Sequence, residues 1–236
     1  MENSDYIYGI RAVIEAVEAG REIDKVFVAN TLQGDLAREL MSVLKANKIL
    51  LQKVPIEKIN RLTRRNHQGV VAMLSAVSYA RLDTVVPSLF EEGRVPLIVL
   101  LDGITDVRNF GAIARTCECA GVDAIVIPRR GGVSVGADAM KTSAGALSYL
   151  PVCREGSTVN SVKYLLDCGF RIIAATEKGS VNYTEADYTQ PTAIVMGAED
   201  VGISPDVLRL ATTRVAIPQL GHVSSLNVSV AAGVII

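Results

Sequence analysis

The spacing of apolar residues in the first third of the chain alternates between helical and strand-like periods. An apolar stripe at helical spacing is followed by a short apolar run, and this alternation recurs up to about residue 76. We therefore predict a small α/β domain over residues 1–76 and a linker over 77–96 with room for one helical turn. The predicted elements of the domain are helix Gly9–Ala19, strand Lys25–Ala29, helix Asp35–Ala46, strand Ile49–Val54, a short helix from Pro55 to Leu62, and strand Val70–Leu74.

From Leu97 onward the pattern changes to continuous apolar runs separated by helical stretches. Strands that are apolar on both sides are typical of a parallel sheet covered by helices on both faces. Residues 97–236 are therefore predicted to form a parallel-sheet α/β domain, in which ligands bind beyond the carboxyl ends of the strands. The predicted strands are Leu97–Leu101, Ala124–Ile127, Ile172–Ala175, Ala193–Met196 and Val215–Ile217.

Three strand-to-helix junctions of this second domain place polar side chains beside glycines: residues 101–115, 195–204 and 217–232. In the last junction, Ser225, Asn227 and Ser229 lead into an apolar helix that we expect to be buried. Because a buried polar group without a partner costs roughly 1–3 kcal/mol, these side chains are predicted to serve a site.

Helix-start signals agree with these junctions. Asn109 is predicted to cap a helix that ends at Gly121, and Ser204-Pro205-Asp206 is typical of a second helix start.

Composition and charge limit the function classes. The net charge is −1, so any binding of nucleic acid must come from a local basic patch. No apolar run is long enough to predict a membrane span, and the polar, acidic N-terminus argues against a signal peptide, so we expect a cytoplasmic protein. Cys117 and Cys119 lie two residues apart on a predicted helix and so face different ways; no metal site is predicted, and all four cysteines are interpreted as small buried hydrophobes.

Two common nucleotide-binding signatures are missing from the sequence. The first strand of the second domain is not followed by a G-x-G-x-x-G turn, and there is no P-loop lysine motif. The glycine-rich run Gly131–Gly136 also lacks that fingerprint, and we interpret it as a surface loop. A nicotinamide-dependent oxidoreductase is therefore disfavoured.

Together, the three junctions resemble the signature motifs of the SpoU/TrmH branch of the SPOUT RNA methyltransferases. The first contributes Asn109 and Arg115, the second Gly197, Glu199 and Gly202, and the third Ser225, Leu226 and Asn227. The resemblance implies methyl transfer from S-adenosylmethionine to a ribose 2′-hydroxyl of RNA. It also implies a trefoil knot in the second domain, and a homodimer formed through the first-motif helix and the last helix.

The resemblance further implies a substrate and site residues. The chain looks most like the enzymes acting on a guanosine of bacterial 23S ribosomal RNA; a transfer RNA enzyme and a non-catalytic ribosome-assembly factor are the alternatives. Matching positions make Gly197, Gly202, Ile217 and Leu226 the expected cofactor-binding residues. The expected catalytic residues are Asn109, Arg115, Glu199, Ser225 and Asn227.

Physical chemistry adds a second reading to several of these roles. A guanidinium stays protonated in proteins, so we expect Arg115 to clamp a phosphate of the target nucleotide rather than act as the base, and an ordinary salt bridge is the alternative. Glu199 could orient Arg115 or Asn109, or cap the helix that begins near Ser204. Helix capping is likewise the alternative role for Ser225 and Asn227.

A basic segment lies in the first domain. Six lysines and arginines between Lys48 and Arg65 face a single acid, Glu57. Such residues contact phosphates without regard to sequence, although a solvated surface is the alternative reading. The domain also resembles the family's ribosomal-protein-like RNA-binding domain, including His67-Gln68-Gly69. The predicted RNA-binding residues are Lys58, Arg61, Arg64, Arg65 and His67.

Overall fold

The computed structural model describes residues 5–236 and divides into two compact units. The N-terminal unit contains the described residues through Ser78 together with Ser134–Ala137. The C-terminal unit contains Tyr79–Val133 and Asp138–Ile236.

The N-terminal unit is a four-stranded mixed sheet with helices on both faces. Its strand order is β1-β4-β2-β3, with β2 and β3 parallel and the other neighbours antiparallel. The predicted elements are confirmed, strand β1 is added, and Pro55 caps its helix rather than starting it. The elements are β1 (Tyr6–Tyr8), α1 (Ile10–Glu18), β2 (Ile23–Ala29), α2 (Asp35–Ala46), β3 (Leu50–Val54), α3 (Ile56–Leu62) and β4 (Val70–Leu74).

The two faces of this sheet have separate cores. On one face, side chains such as Val26 and Val28 pack with residues of α1 and α2. On the other, Phe27 and Val71 pack with Ile59 of α3. The alternation follows from the pleat, which sends successive side chains of one strand to opposite faces.

A later segment completes the N-terminal unit and corrects one prediction. Residues 131–136 were interpreted as a surface loop, but Val133 and Val135 are buried. Within the N-terminal unit, the Val135 carbonyl accepts the Ala76 N–H at 2.8 Å. The glycine-rich run is therefore only partly at the surface: Gly131 is exposed, whereas the two valines at alternate positions are buried.

The C-terminal unit is built on a seven-stranded sheet in which every pair of neighbours is parallel, in the order β7-β6-β5-β10-β8-β11-β9. The predicted parallel-sheet α/β fold is confirmed, whereas the trefoil knot stays a prediction. The strands are β5 (Leu97–Asp102), β6 (Ala124–Pro128), β7 (Val152–Glu155), β8 (Arg171–Ala175), β9 (Val181–Asn182), β10 (Thr192–Gly197) and β11 (Thr213–Ala216). The helices are α4 (Leu82–Glu91), α5 (Val107–Ala120), α6 (Ala137–Thr142), α7 (Thr158–Asp167), α8 (Pro205–Leu210) and α9 (Val228–Ile235).

Burial of both faces explains the continuous apolar strands. Ile98 and Leu100 of β5 belong to a core that also contains residues of α4, α7 and α8. The alternate residues Val99 and Leu101 point to the opposite face and are fully buried as well. Helix α5 buries one of its own faces and packs against α9.

Helix α4 corrects the prediction of a single turn between residues 77 and 96. The helix is ten residues long although Pro87 lies inside it. An interior proline costs about 3 kcal/mol. Burial of Leu82, Val86 and Leu89 offsets this cost, at roughly 1.5–3 kcal/mol for each side chain. Their i, i+4, i+7 spacing is the signal that the two prolines of the segment masked.

The start of α5 corrects another prediction. Asp106, not Asn109, caps this helix: its carboxylate accepts the N–H groups of Arg108 at 2.8 Å and of Asn109 at 2.9 Å. The predicted end at Gly121 is confirmed, with a left-handed φ of 76°. Because Asp106 satisfies the helix start, the Asn109 side chain is available for other contacts.

The cysteines are only partly as predicted. Burial raises the pKa of the Cys117 and Cys153 thiols to about 12, so both stay protonated and are poor nucleophiles. Cys119 is exposed and Cys168 is half-buried, which contradicts the expectation that all four lie in a core. Within residues 5–236, no helix has both the length and the apolar character that crossing a membrane requires.

Candidate active site

A cavity of the C-terminal unit lies beyond the carboxyl ends of the adjacent strands β10, β8 and β11. This main cavity has a volume of about 440 Å³. Its walls come from residues 175–178 after β8, 196–203 after β10, 215–228 after β11, and the inner side of α9. All four predicted cofactor-binding residues line it: Gly197, Gly202, Ile217 and Leu226.

The loop after β10 owes its shape to two glycines. A Cβ on Gly197 would collide with the backbone of Gly202 and Ile203, so only glycine allows this approach. Gly202 has a φ of +68°, and its N–H donates to the Ala198 carbonyl at 2.8 Å. The loop is thereby folded back on itself, and its backbone groups form one wall of the main cavity.

Three residues that are distant in sequence meet in one hydrogen-bonded cluster at this cavity. The side-chain amide of Asn227 donates to Asn109 Oδ1 at 3.0 Å and to Glu199 Oε1 at 2.5 Å. Its carbonyl oxygen accepts the Ser229 N–H at 2.9 Å and so caps α9. Both ends of the amide are therefore fixed, and we call Asn109, Glu199 and Asn227 the amide–carboxylate cluster.

Glu199 also interacts with the start of α9. Its Oε1 lies 3.4 Å from the backbone nitrogen of Val228, in the first turn of that helix. A negative charge is stabilised there by the free N–H groups and the helix dipole. The helix that begins after Ser204 has another partner, because the carboxylate of Asp102 accepts the Ser204 N–H at 2.7 Å. The alternative that Glu199 caps the helix near Ser204 is therefore wrong; it serves α9.

Arg115 and Ser225 stand apart from the cluster. Arg115 is exposed on α5, and within the described residues it makes no hydrogen bond or ion pair. A salt bridge to Glu199 is therefore not formed. Ser225 lines the main cavity without a hydrogen bond to the described part of the chain. Both side chains are available to a ligand.

The expectation that the polar residues of the last junction are buried is wrong. Ser225 and Asn227 are exposed, and Ser229 is only half-buried. The loop before α9 runs over the surface, where its polar groups need no internal partner. Asn227 nevertheless has partners for every donor and acceptor of its side chain.

The charge of the main cavity favours a cationic ligand group. Three carboxylates, Glu177, Glu199 and Asp200, line it, against one cation, Lys178. The other lining side chains are mostly small or apolar, including Met196 and Ile203. Such a site suits a ligand with a flat apolar part and a positive charge.

One wall of the main cavity was missed from the sequence. Thr176, Glu177 and Lys178 follow β8 directly and line the cavity. They are followed by Gly179, where a Cβ would collide with the backbone of Val215 and Ala216. The predicted strand Ile172–Ala175, together with a glycine just beyond its carboxyl end, was the signal that could have identified this wall.

Gly111 of α5 lies against the end of α6. A Cβ there would collide with Thr142 and the backbone nitrogen of Ser143. Gly111 therefore serves packing of α5 against the end of α6, not a ligand.

The basic segment of the N-terminal unit is exposed beside a group of aromatic rings. Lys58, Arg61, Arg64 and Arg65 are all exposed. The Lys58 ammonium lies 5.6 Å from the centre of the Phe27 ring, and the Arg65 guanidinium lies 5.5 Å from that of Tyr8. The Tyr6 and Tyr8 rings stack with centroids 6.4 Å apart. Cations and aromatic faces thus share one surface of this unit.

His67 has a role within the fold. Its Nδ1 accepts the Gly69 N–H at 3.0 Å, and its Nε2 lies 2.9 Å from Asn60 Oδ1. Both ring nitrogens are therefore used in holding the turn before β4. Unlike the four cations, this side chain is half-buried and engaged.

Comparison with known proteins agrees with this geometry. The model of the SpoU rRNA methylase family matches residues 96–236, and a model described as RNA 2′-O ribose methyltransferase substrate binding matches residues 6–80. A TrmH family tRNA/rRNA methyltransferase of Staphylococcus saprophyticus is 36% identical over 96% of this chain and 91% of its own length. A similarly named protein of Bacillus subtilis is 32% identical over 99% of this chain and 94% of its own length.

Solved structures give the same result. An AdoMet-bound rRNA methyltransferase from Sinorhizobium meliloti superposes with a TM-score of 0.62 at 26% identity, covering 98% of this chain and 84% of the other. The SpoU methyltransferase AviRb from Streptomyces viridochromogenes, in complex with AdoMet, gives 0.61 at 25% identity, with 98% and 87% covered.

The fold and the site together define an RNA methyltransferase. The chain belongs to the SpoU family of RNA methylases, as the three sequence motifs predicted.

Proposed function

We propose that this protein transfers a methyl group from S-adenosylmethionine to a ribose 2′-hydroxyl of RNA. The observation that carries the proposal is the amide–carboxylate cluster beside the main cavity, which joins one residue from each of the three motifs. A cluster assembled from three distant segments and exposed to solvent is available to a substrate.

The main cavity fits the cofactor. Its volume of about 440 Å³ lies within the roughly 300–1,000 Å³ common for cofactor sites. The backbone at Gly197 and Gly202 offers peptide donors and acceptors to an adenine edge, and Leu226 and Ile217 offer apolar contact. The excess of carboxylates complements the positive charge of the cofactor. When bound, S-adenosylmethionine supplies the electrophilic methyl group.

The other site residues are assigned roles from their charge and from whether their side chains are free to contact a substrate. Arg115 has no ion-pair partner among residues 5–236 and is proposed to hold a phosphate of the target nucleotide. Asn109 and Asn227 are proposed to fix the ribose, with Glu199 holding the Asn227 amide in place. Ser225 is proposed to lie near the transferred methyl. Much of the catalysis would then be alignment of the attacking hydroxyl.

For the substrate, we propose ribosomal RNA, with a guanosine of 23S RNA as the specific target. The match of residues 6–80 to a substrate-binding model supports an RNA substrate. The match to the SpoU rRNA methylase model and the rRNA methyltransferase among the structural neighbours support ribosomal RNA. The relatives named tRNA/rRNA methyltransferases keep transfer RNA as the alternative. We propose further that residues 1–76 bind RNA, that 97–236 carry out methyl transfer and that 77–96 connect them, in the cytoplasm.

The proposal is tested by methyl transfer in vitro. Protein, labelled S-adenosylmethionine, and ribosomal or transfer RNA from cells lacking the protein are combined, and the labelled nucleotide is mapped. We expect a 2′-O-methylated nucleotide in ribosomal RNA and calorimetric binding of one cofactor per chain. Cofactor binding without incorporation into either RNA would favour the assembly-factor alternative, and no cofactor binding by folded protein would contradict the proposal.

Replacing Lys58, Arg61, Arg64 and Arg65 with glutamine is expected to weaken RNA binding without changing cofactor affinity. Each lost phosphate contact lowers the slope of log K against log salt by about 0.7–0.9. The matched control removes four exposed cations on or beside α1 and α2, at the other face of the same sheet: Arg11, Arg21, Arg38 and Lys45. Equal salt slopes for the two quadruple variants would mean that the segment is only a solvated surface.

We also propose that the protein is a homodimer paired through α5 and α9. Helix α9 is apolar nearly all round, yet Val230 is 52% exposed and Val234 39% exposed. A second copy is the simplest cover for this surface, which adjoins α5.

Light scattering at micromolar concentration is expected to give twice the chain mass of 25.2 kDa. The double variant Val230→Glu and Val234→Glu should be monomeric, because it would bury two unpaired charges in the contact. Val95→Glu is the control, since Val95 is 60% exposed and lies before the amino end of β5, outside α5 and α9. A monomeric wild-type protein would contradict the proposal.

A further inference from the structure

A second cavity of about 320 Å³ opens at the same edge of the C-terminal sheet, beyond strands β5, β6 and β7. Its walls include Asp102, Arg130, Ser204 and the first residues of α7. Ile203 lines the main cavity and the next residue, Ser204, lines the second one. The two cavities are thus neighbours along one short stretch of backbone.

At the second cavity, the start of α7 has hydrogen-bond donors without partners in the part of the chain that the structure describes. The first bond of the helix runs from the Ser161 N–H to the Ser157 carbonyl at 3.1 Å, so the preceding N–H groups have no acceptor within the helix. The Ser157 side chain does not cap them, and the first turn has no acidic residue. Ser157, Thr158 and Val159 all line the cavity.

The Thr158 side chain provides a second observation, independent of the free N–H groups of α7. The residue is only 9% exposed, and its hydroxyl makes no hydrogen bond within the described residues. A polar group on a residue that is nine-tenths buried is normally paired, so this unpaired hydroxyl, which is accessible from the cavity, is free to bind a ligand there. The hydroxyl and the free N–H groups of α7 offer donors from adjacent positions.

The charges around the second cavity favour an anion. Arg130 lines it and forms no ion pair with the described part of the chain. The carboxylate in this lining, Asp102, accepts the Ser204 N–H through Oδ2 at 2.7 Å, so one of its oxygens is already engaged within the fold. A helix N-terminus, a hydroxyl and a guanidinium are together the donors that recognise phosphate.

We propose that the second cavity binds a backbone phosphate of the RNA substrate, one neighbouring the nucleotide whose ribose lies at the main cavity. The inference rests on the proposed function. RNA is favoured over a free anion because the two cavities adjoin at one end of the sheet. Neighbouring nucleotides of one continuous RNA strand could therefore occupy both.

The test is the double variant Arg130→Gln and Thr158→Val, in which the valine keeps the volume of the threonine. We expect the KM for ribosomal RNA to rise about tenfold, with kcat and cofactor affinity unchanged, and the salt slope of RNA binding to fall by about one. Arg130→Lys, which keeps the charge, should recover part of the loss. The control is Arg209→Gln with Thr84→Val, a matched pair exposed on α8 and α4.

The outcomes separate this inference from the proposed function. If the wild-type protein methylates RNA and the double variant has the same KM and salt slope, the phosphate site is wrong. If no RNA is methylated, the proposed function fails, but the salt slope, measured without turnover, still tests the cavity. Should millimolar inorganic phosphate shift the Thr158 amide resonance while the RNA affinity of the variant is unchanged, the cavity takes a free anion and the proposal is overturned.

Discussion

Asn227→Ala is expected to lower the kcat of methyl transfer by about 100-fold, because it removes the residue that joins the amide–carboxylate cluster. Asn109 and Glu199 each lose a hydrogen bond, and nothing else in the described chain holds the two side chains together. The helix cap of α9 is lost as well, so we expect the free energy of unfolding to fall by about 1 kcal/mol. Single-turnover kinetics with saturating RNA and cofactor measure the first effect and thermal unfolding the second.

Two further variants separate catalysis from capping. Asn227→Asp keeps the acceptor for the Ser229 N–H but places a carboxylate beside Glu199, so activity should be lost while the cap is retained. Asn182→Ala removes the cap of the short 3-10 helix Tyr183–Glu185, in which the Asn182 side-chain oxygen accepts the Thr184 N–H at 3.2 Å. This variant should leave kcat unchanged. If Asn227→Ala keeps the wild-type kcat, the cluster is only a structural contact.

Gly197→Ala is expected to disrupt the cofactor site. The added methyl group would collide with the backbone of Gly202 and Ile203, which cannot rotate away as a side chain can. We expect a loss of about 1–3 kcal/mol of stability from overpacking. Displacement of this wall should weaken cofactor binding about tenfold, which corresponds to roughly 1.4 kcal/mol. Calorimetry with S-adenosylmethionine and chemical unfolding measure these effects.

Gly221→Ala is the matched control. Gly221 lies in the exposed loop before α9, and a Cβ there would meet nothing within 4 Å. Its stability and cofactor affinity should equal those of the wild type. Equal cofactor affinities for Gly197→Ala and the wild type would mean that the loop after β10 does not form the binding wall.

The sequence predicted those parts of the structure that depend on local pattern. The apolar runs located strands such as β5 and β10, because a strand buried on both faces has no polar positions to interrupt it. Glycines marked the tight loop at Gly197 and Gly202, because their backbone conformations and contacts exclude side chains. The motif resemblance then selected the residues, such as Glu199, that the structure brings to the main cavity.

The parts that could not be predicted depend on pairings between distant segments. Asparagine is a residue type that often caps helices, so the sequence made Asn109 a candidate. Only the position of Asp106 in the folded loop shows which residue caps α5. The contact from Asn109 to Asn227 spans 118 residues, and no local period encodes it. The second cavity likewise forms where Asp102, Arg130 and Thr158 converge from three different strand ends.

The strand order of the C-terminal sheet has a consequence for folding kinetics. Strand β10 lies between β5 and β8, with Thr192 opposite Leu97, so the centre of the sheet joins segments almost a hundred residues apart. Contacts of such high sequence separation slow folding, because closing the long intervening loop costs entropy before the contact is gained. On the ribosome, the central pairing cannot form until β10 has emerged. The amide–carboxylate cluster forms later still, because Asn227 is synthesised after β10. A nascent chain can therefore be partly folded before it is active.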